Sequence, residues 1–326
     1  MILAPVGAGK TAITLTAMSD MTARGHCDRW LVLAPKRVCL SVWPVEVKKW
    51  ADHLKLAVAV GTPAQRKAAF ESDADIVVTN YDNIPSIDPT HFDGIVFDEL
   101  TRLKNPSGKR FKFLLKILDQ FQIRWGLTGS FTSNGLEDVF GQCKVVDQSL
   151  LGRSKGAFLQ QYFYCINREY GQWEPLPGAL AKVMERIKPA VYVLDPGEYK
   201  DKLPPLHVVE MRCDMDMEPY ETMKREFVLE LDQTITAPTA AVVTQKLQQL
   251  TSGFIYGEAA PEWVGTHKFD LLDEVLEENQ HDNTIVVYNY KEELAELKRR
   301  HKLTTIDEPD AVENWNKGQI RLLAIH

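Results

Sequence analysis

The sequence predicts an α/β protein whose sheets are parallel and covered by helices on both faces. Ala4-Pro-Val-Gly-Ala-Gly-Lys-Thr11 has the Walker A pattern, with Ala in place of its first Gly, and Met1-Ile-Leu-Ala4 can serve as the strand leading into it. Short β-rich apolar runs recur between helical patterns: Trp30-Leu-Val-Leu-Ala34, Leu56-Ala-Val-Ala-Val60, Asp75-Ile-Val-Val-Thr79, Gly94-Ile-Val-Phe-Asp98 and Arg124-Trp-Gly-Leu-Thr128. Strands separated by helices pair in parallel and are buried on both faces. A chain of 326 residues suits two domains better than one.

The elements follow in order. The phosphate-loop pattern opens a helix over 11–23, and the five strands with their intervening helices occupy residues 1–150. Residues 151–205 read differently, with the aromatics Phe158, Tyr162, Phe163 and Tyr164, two Pro-containing turns and a basic helix pattern ending near Lys188. They are expected to be a helical insertion and connector, closed by Pro204-Pro205. A second, partial α/β unit over 206–326 is expected to open with a strand, Leu206-His-Val-Val-Glu-Met211. Helices are expected over 219–231, 240–250, 268–278 and 291–300, with strands at Thr284-Ile-Val-Val-Tyr288 and 320–325. No internal repeat is visible.

Composition narrows the functional classes. At 44% hydrophobic and 25% charged the chain is ordinary for a globular protein, which excludes a disordered or fibrous class. No apolar run approaches the ~20 residues of a membrane span, and Asp20 interrupts the first helix, so neither a membrane helix nor a signal peptide is expected. A cytoplasmic location is expected. The cysteines Cys27, Cys39, Cys143, Cys165 and Cys213 are odd in number and form no CxxC pair, so reduced thiols are expected rather than disulfides or a zinc site. With a net charge of −7, any contact with a polyanion must be local.

The chemistry sits in two stretches. In the first, Gly7, Ala8 and Gly9 let backbone N–H groups turn toward phosphate oxygens. Lys10 can reach the β and γ phosphates, and the Thr11 hydroxyl is placed to hold Mg²⁺. The helix N-terminus favours the same anion. In the second, Gly94-Ile-Val-Phe-Asp98-Glu99 is a buried strand ending in two acids, as a Walker B element requires. Asp98 can hold Mg²⁺, and Glu99 is placed to polarise an attacking water, so the pair predicts ATP hydrolysis rather than binding alone.

At this point a resemblance appears. Asp98-Glu-Leu-Thr-Arg-Leu-Lys-Asn105 resembles motif II of superfamily-two helicases of the Swi/Snf-like branch, especially the compact versions found in bacteriophages. Leu33-Ala-Pro-Lys-Arg37 with Val42-Trp-Pro-Val-Glu-Val-Lys-Lys-Trp50 resembles motif Ia. Val78-Thr-Asn-Tyr81 resembles the next nucleic-acid-contacting motif. Leu127-Thr-Gly-Ser130 with Asn134 resembles motif III, and Thr284-Ile-Val-Val-Tyr-Asn-Tyr290 resembles motif IV. Trp315-Asn-Lys-Gly318 with Leu322-Leu-Ala-Ile-His326 looks like the approach to motif V.

The resemblance implies two RecA-like P-loop domains, the second incomplete, with ATP and Mg²⁺ as cofactors and double-stranded DNA as the partner. It implies that Lys36, Arg37, Thr79, Asn80 and Tyr81 contact DNA, and that Thr128, Gly129 and Ser130 couple the nucleotide state to domain movement. Members of the family usually translocate on duplex DNA without necessarily separating its strands. The family also has an adenine-contacting Gln upstream of the phosphate loop and a motif VI whose arginine finger is worth about 10³–10⁵ in rate. Neither is in this sequence, so the resemblance implies a chain cut at both ends, able to bind nucleotide but weak in turnover.

A basic run, Arg102, Lys104, Lys109, Arg110, Lys112 and Lys116, holds no acid. It is a further candidate for phosphate contact, although charge runs are more often solvated helix faces. Trp173, Trp263 and the aromatics near Tyr162 are read as packing. Two alternatives to an ATP-dependent DNA helicase or translocase core stand beside it: a P-loop small-molecule kinase, and a nucleotide-gated DNA-binding remnant without turnover. An intact Glu99 weighs against the remnant.

Overall fold

In the computed structural model the chain divides after Pro205 into two units, residues 1–205 and 206–326. The structure describes residues 1–167, 169, 171–194, 205–279 and 282–326.

The first unit is a seven-stranded parallel sheet flanked by helices. In chain order it contains β1 (Ile2–Leu3), α1 (Lys10–Ala23), β2 (Trp30–Ala34), α2 (Lys36–Ser41), α3 (Trp43–Trp50), β3 (Leu56–Ala59), α4 (Pro63–Phe70), β4 (Ile76–Asn80) and β5 (Gly94–Phe97). After these come α5 (Lys109–Ile117), β6 (Ile123–Thr128), α6 (Asp138–Val146), α7 (Lys155–Tyr162), β7 (Phe163–Asn167), β8 (Gln172–Pro175), α8 (Ala179–Ile187) and β9 (Tyr192–Val193). The sheet order is β3-β4-β2-β5-β6-β1-β9.

Period-two alternation decides which face each strand residue joins. From β2, Trp30, Val32 and Ala34 enter a core with Leu15 and Met18 of α1 and Trp43 and Val47 of α3. Leu31 and Leu33 enter the opposite core, with Phe111 and Leu114 of α5, Phe140 of α6 and Val183 and Ile187 of α8. Burial on both faces is why these strands read as unbroken apolar runs.

Residues 151–194 belong to this unit physically. The 163–175 stretch forms the antiparallel hairpin β7–β8 rather than helix. Phe158, Tyr162, Phe163 and Ala179 lie in the same core as α5 and α6. β9 pairs in parallel with β1, Ile2 opposite Tyr192 and Leu3 opposite Val193.

The second unit contains α9 (Glu218–Glu226), β10 (Val228–Glu230), β11 (Thr234–Thr236), α10 (Ala240–Thr251), β12 (Phe254–Tyr256), β13 (Pro261–Trp263) and α11 (His267–Glu278). It continues with β14 (Thr284–Val287), α12 (Lys291–Arg300), β15 (Thr304–Thr305), α13 (Ala311–Asn316) and β16 (Leu322–Ile325). β14, β16 and β15 form a parallel sheet in that order, while β10–β11 and β12–β13 are antiparallel hairpins. Arg300 ties α12 to α11 through ion pairs with Asp270 at 2.7 Å, Asp273 at 2.6 Å and, within its own helix, Glu296 at 2.6 Å.

Two expected elements are corrected. The stretch 206–211 has no strand partner among the described residues, and Leu206, Val208 and Val209 are 88%, 80% and 78% exposed. Alternating β-formers become a strand only where a neighbouring edge takes their hydrogen bonds. The helix expected over 219–231 ends at Glu226, because Phe227 adopts φ 62 and the next three residues pair with β11.

All five cysteines are free. Burial pushes the Cys27, Cys39 and Cys143 thiols up to about 12, whereas Cys165 and Cys213 are exposed. Iodoacetamide at pH 8 should therefore modify Cys165 and Cys213 in the native protein and reach the other three only after denaturation, as read by peptide mass. At Gly141 of α6, a Cβ would lie 2.4 Å from the backbone oxygens of Leu103 and Lys104, so only glycine lets this helix meet the turn after Asp98-Glu99. Gly141→Ala should cost about 1–3 kcal/mol in a denaturant melt.

Candidate functional site

Three strands of the first sheet lie side by side as β5, β6 and β1 and run parallel, so the loops leaving them emerge at one edge. This edge carries Asp98-Glu99 after β5, Thr128-Gly129-Ser130 at the end of β6 and the 4–11 loop after β1. The C-terminal edge of a parallel sheet is where such folds receive ligands.

The loop after β1 is rooted by the Ala4 N–H donating to the Thr128 carbonyl at 3.1 Å. Gly7 and Gly9 have φ of 80 and 76, backbone that a side chain would strain, and Gly9 caps α1. The first N–H groups of α1 lack partners within the helix, so they are donors for an anion. Ala8 lies between the two glycines, and Thr11 is the second residue of α1, half-buried. The Lys10 ammonium donates to the carbonyls of Ala4 and Pro5, at 2.8 Å each. Burial lowers the Lys10 pKa, and the charges of Glu99 and Asp98 oppose that shift, so the cation lies within electrostatic reach of both acids.

Asp98 is only 7% exposed. Its N–H continues the sheet by donating to the Leu33 carbonyl at 2.8 Å. Its Oδ2 accepts from the Trp43 indole N–H at 3.0 Å and its Oδ1 from the Glu99 N–H at 3.0 Å. Its backbone carbonyl accepts from the Tyr81 hydroxyl at 2.7 Å. Burial raises the Asp98 pKa from the ordinary aspartate value, and the Trp43 hydrogen bond opposes this most. Glu99 adopts φ 54 and ψ 60, a left-handed conformation costing a non-glycine residue about 1–3 kcal/mol.

Mg²⁺ takes hard oxygen donors, typically one or two carboxylates completed by substrate phosphates and water. The site fits that preference. Each Asp98 oxygen accepts one hydrogen bond and keeps a lone pair, and Thr11 stands in the first turn of α1, the helix that follows β1 beyond β6. Among the described residues no group of three or more His, Cys, Asp and Glu could hold a metal ion.

Thr128 is fully buried, and its hydroxyl donates to the Ser130 carbonyl at 2.7 Å while accepting from the Ser130 N–H at 3.2 Å. This closes a tight turn around exposed Gly129, between the acid pair and the phosphate loop.

The five candidate DNA contacts divide. Lys36 and Arg37 open α2 after β2 and are exposed. Thr79, Asn80 and Tyr81 face inward at 0%, 8% and 4% exposure. The Thr79 hydroxyl donates to the Ala59 carbonyl at 2.7 Å, and Asn80 accepts from Asn83 at 2.7 Å. In the basic run, Lys104 lies 3.6 Å from Asp138 and Arg110 pairs with Asp82, while Lys109, Lys112 and Lys116 are exposed along α5. In the second unit, Asn289 and Tyr290 follow β14, and their N–H groups donate to Glu293 at 2.8 and 3.0 Å.

Sequence reasoning missed the role of Trp43 and Tyr81 around Asp98. The signal that could have found Trp43 is strand adjacency: β2 pairs directly with β5, Leu33 opposite Phe97, so the helices after β2 reach the residue after Phe97.

Comparison with known proteins agrees with this geometry. A family model described as SNF2-related domain matches residues 2–254. Protein p41 of Acyrthosiphon pisum secondary endosymbiont phage 1 is 34% identical over 350 residues, covering 100% of this chain and 76% of that protein. A CHD3-type chromatin-remodeling factor of Arabidopsis thaliana is 22% identical over 97% of this chain, which spans only 26% of that relative. Among solved structures, the Sulfolobus solfataricus SWI2/SNF2 ATPase core in complex with dsDNA shares the fold, with a TM-score of 0.52 and 20% identity over 99% of this chain and 72% of that one.

The left-handed backbone at Glu99 gives a direct test. Glu99→Gly should leave the fold intact and raise its stability by up to about 1 kcal/mol in a thermal melt, because glycine adopts this conformation without strain.

Proposed function

We propose, for a chain that belongs to the SNF2-related family, the function of an ATP-driven motor core that moves along double-stranded DNA. The family is related to ATP-dependent helicases, which supports ATP use and gives no support to the small-molecule kinase alternative. The observation that carries the motor reading is the meeting, at one sheet edge, of the 4–11 loop, the Asp98-Glu99 pair and the Thr128–Ser130 turn.

In this reading the backbone N–H groups of residues 7–11 receive the triphosphate. The Lys10 ammonium exchanges the Ala4 and Pro5 carbonyls for β and γ phosphate oxygens. Thr11 and Asp98 would hold Mg²⁺, which supplies positive charge to the phosphate oxygens. Glu99 accepts the proton of the attacking water. The Thr128-Gly129-Ser130 turn, bonded to the root of the phosphate loop, moves with the nucleotide state and passes that change on.

DNA contact is proposed through Lys36 and Arg37, which open α2 at the same sheet edge, with the exposed lysines of α5 as a second strip. The 79–81 loop would contribute its backbone, since its side chains are committed internally. On a chain of net charge −7 such contacts are local and strongly salt-dependent.

The test is nucleotide binding and ATP turnover, with and without duplex DNA. Lys10→Ala should weaken binding of a fluorescent ATP analogue at least tenfold. Glu99→Gln should keep binding but lower turnover about 10²–10⁴-fold. Duplex DNA should raise wild-type turnover, and Lys36→Ala with Arg37→Ala should reduce the slope of log affinity against log salt by about 2. Turnover indifferent to DNA would remove the motor reading.

A further inference from the structure

We propose that Trp43 and Tyr81 are positioning residues that pin the Asp98–Glu99 peptide, so that the segments carrying the candidate DNA contacts are mechanically tied to the acids that act on ATP. The inference rests on the ATPase reading of those acids and goes beyond it by naming what holds them and what could move them.

One peptide unit, Asp98–Glu99, is held at both of its polar groups. Its carbonyl, on Asp98, accepts the Tyr81 hydroxyl at 2.7 Å. Its N–H, on Glu99, donates to the Asp98 Oδ1 at 3.0 Å. The other carboxylate oxygen accepts the Trp43 indole at 3.0 Å. Both polar groups of the peptide are therefore held, one directly by Tyr81 and the other through a carboxylate that Trp43 keeps from rotating. Trp43, Tyr81 and Asp98 are 0%, 4% and 7% exposed, so water does not compete for these bonds.

The pinned peptide leads into Glu99, whose φ of 54 is unfavourable for a residue with a side chain. Rotation of that peptide is the simplest way to relieve the strain, and it would swing the Glu99 carboxylate away. Such strain persists only where the surroundings over-determine it. Two side chains from separate parts of the sequence supply that restraint here.

Each restraint also ends at a candidate DNA-facing segment. α2 and α3 join through Val42, whose N–H donates to the Val38 carbonyl at 3.1 Å, so Lys36 and Arg37 lie about two helical turns before Trp43. Tyr81 opens the turn that contains Asp82, the ion-pair partner of Arg110 on the basic helix α5. A phosphate pulling on either segment would be felt at the Asp98–Glu99 peptide, directly through the Tyr81 hydrogen bond or through the Asp98 carboxylate that Trp43 holds.

Trp43→Phe and Tyr81→Phe remove the N–H and O–H while keeping the ring. Both variants should bind the fluorescent ATP analogue within about twofold of wild type, lose at least tenfold in turnover, and respond less to duplex DNA. In a Glu99→Gln background neither change should lower turnover further, because a positioning residue has nothing left to position. A second cycle needs no activity. Tyr81→Phe should lower the melting temperature clearly less in a Glu99→Gly background than in wild type, since glycine removes the strain that the hydroxyl restrains. Turnover within twofold of wild type in both variants, or additive losses in either cycle, would overturn the proposal. If wild type fails to turn over ATP, the ATPase reading falls, and the melting cycle alone decides whether the peptide is pinned.

Discussion

A carboxyl group as buried as Asp98 is tolerated only where hydrogen bonds replace those of water. Meeting that demand draws separate stretches of the chain to one point. Leu33 of β2 receives the Asp98 N–H, Trp43 of α3 reaches its side chain, and Tyr81 after β4 reaches its carbonyl. These contacts require β2 to lie against β5 and β4 against β2, which is the observed sheet order. The acid and the topology are thus mutually dependent, since a different order would strand a buried polar group without partners.

The same edge must satisfy an opposite demand at Lys10. A half-buried ammonium also needs partners, and it finds them in the Ala4 and Pro5 carbonyls and in the nearby charges of Glu99 and Asp98. These are interim partners in the proposed cycle, because an arriving triphosphate offers stronger, charged acceptors. The loop therefore holds its cation in place without a ligand, and the left-handed Glu99 beside it is kept ready at the cost of local strain. Both features place intrinsic instability at the site and rely on the two packed cores flanking the sheet to sustain it.

Much of this is legible in the sequence, for identifiable reasons. The strand Trp30-Leu-Val-Leu-Ala34 was recognisable because burial on both faces leaves no polar alternation, and the structure places β2 on those residues. The phosphate loop was recognisable because positive φ at two spaced positions calls for glycine. Residues 206–211 misled because their alternation was read without knowing whether a partner strand existed. The resemblance implies DNA contact by Thr79, Asn80 and Tyr81, but it says nothing of where their side chains turn. Here Ala59, Asn83 and the Asp98 carbonyl claim them first.

By itself the sequence determined the chemical inventory and the local geometry that depends on near neighbours: a glycine-bearing anion loop before a helix, a buried strand ending in two acids, and parallel units joined by helices. Only the tertiary structure decided who holds the acids. The indole of Trp43 and the carboxylate of Asp98 are 55 residues apart, and Tyr81 lies 17 from Asp98. No periodicity encodes such pairs, because strand order, not chain order, determines which loops meet at the edge of a parallel sheet.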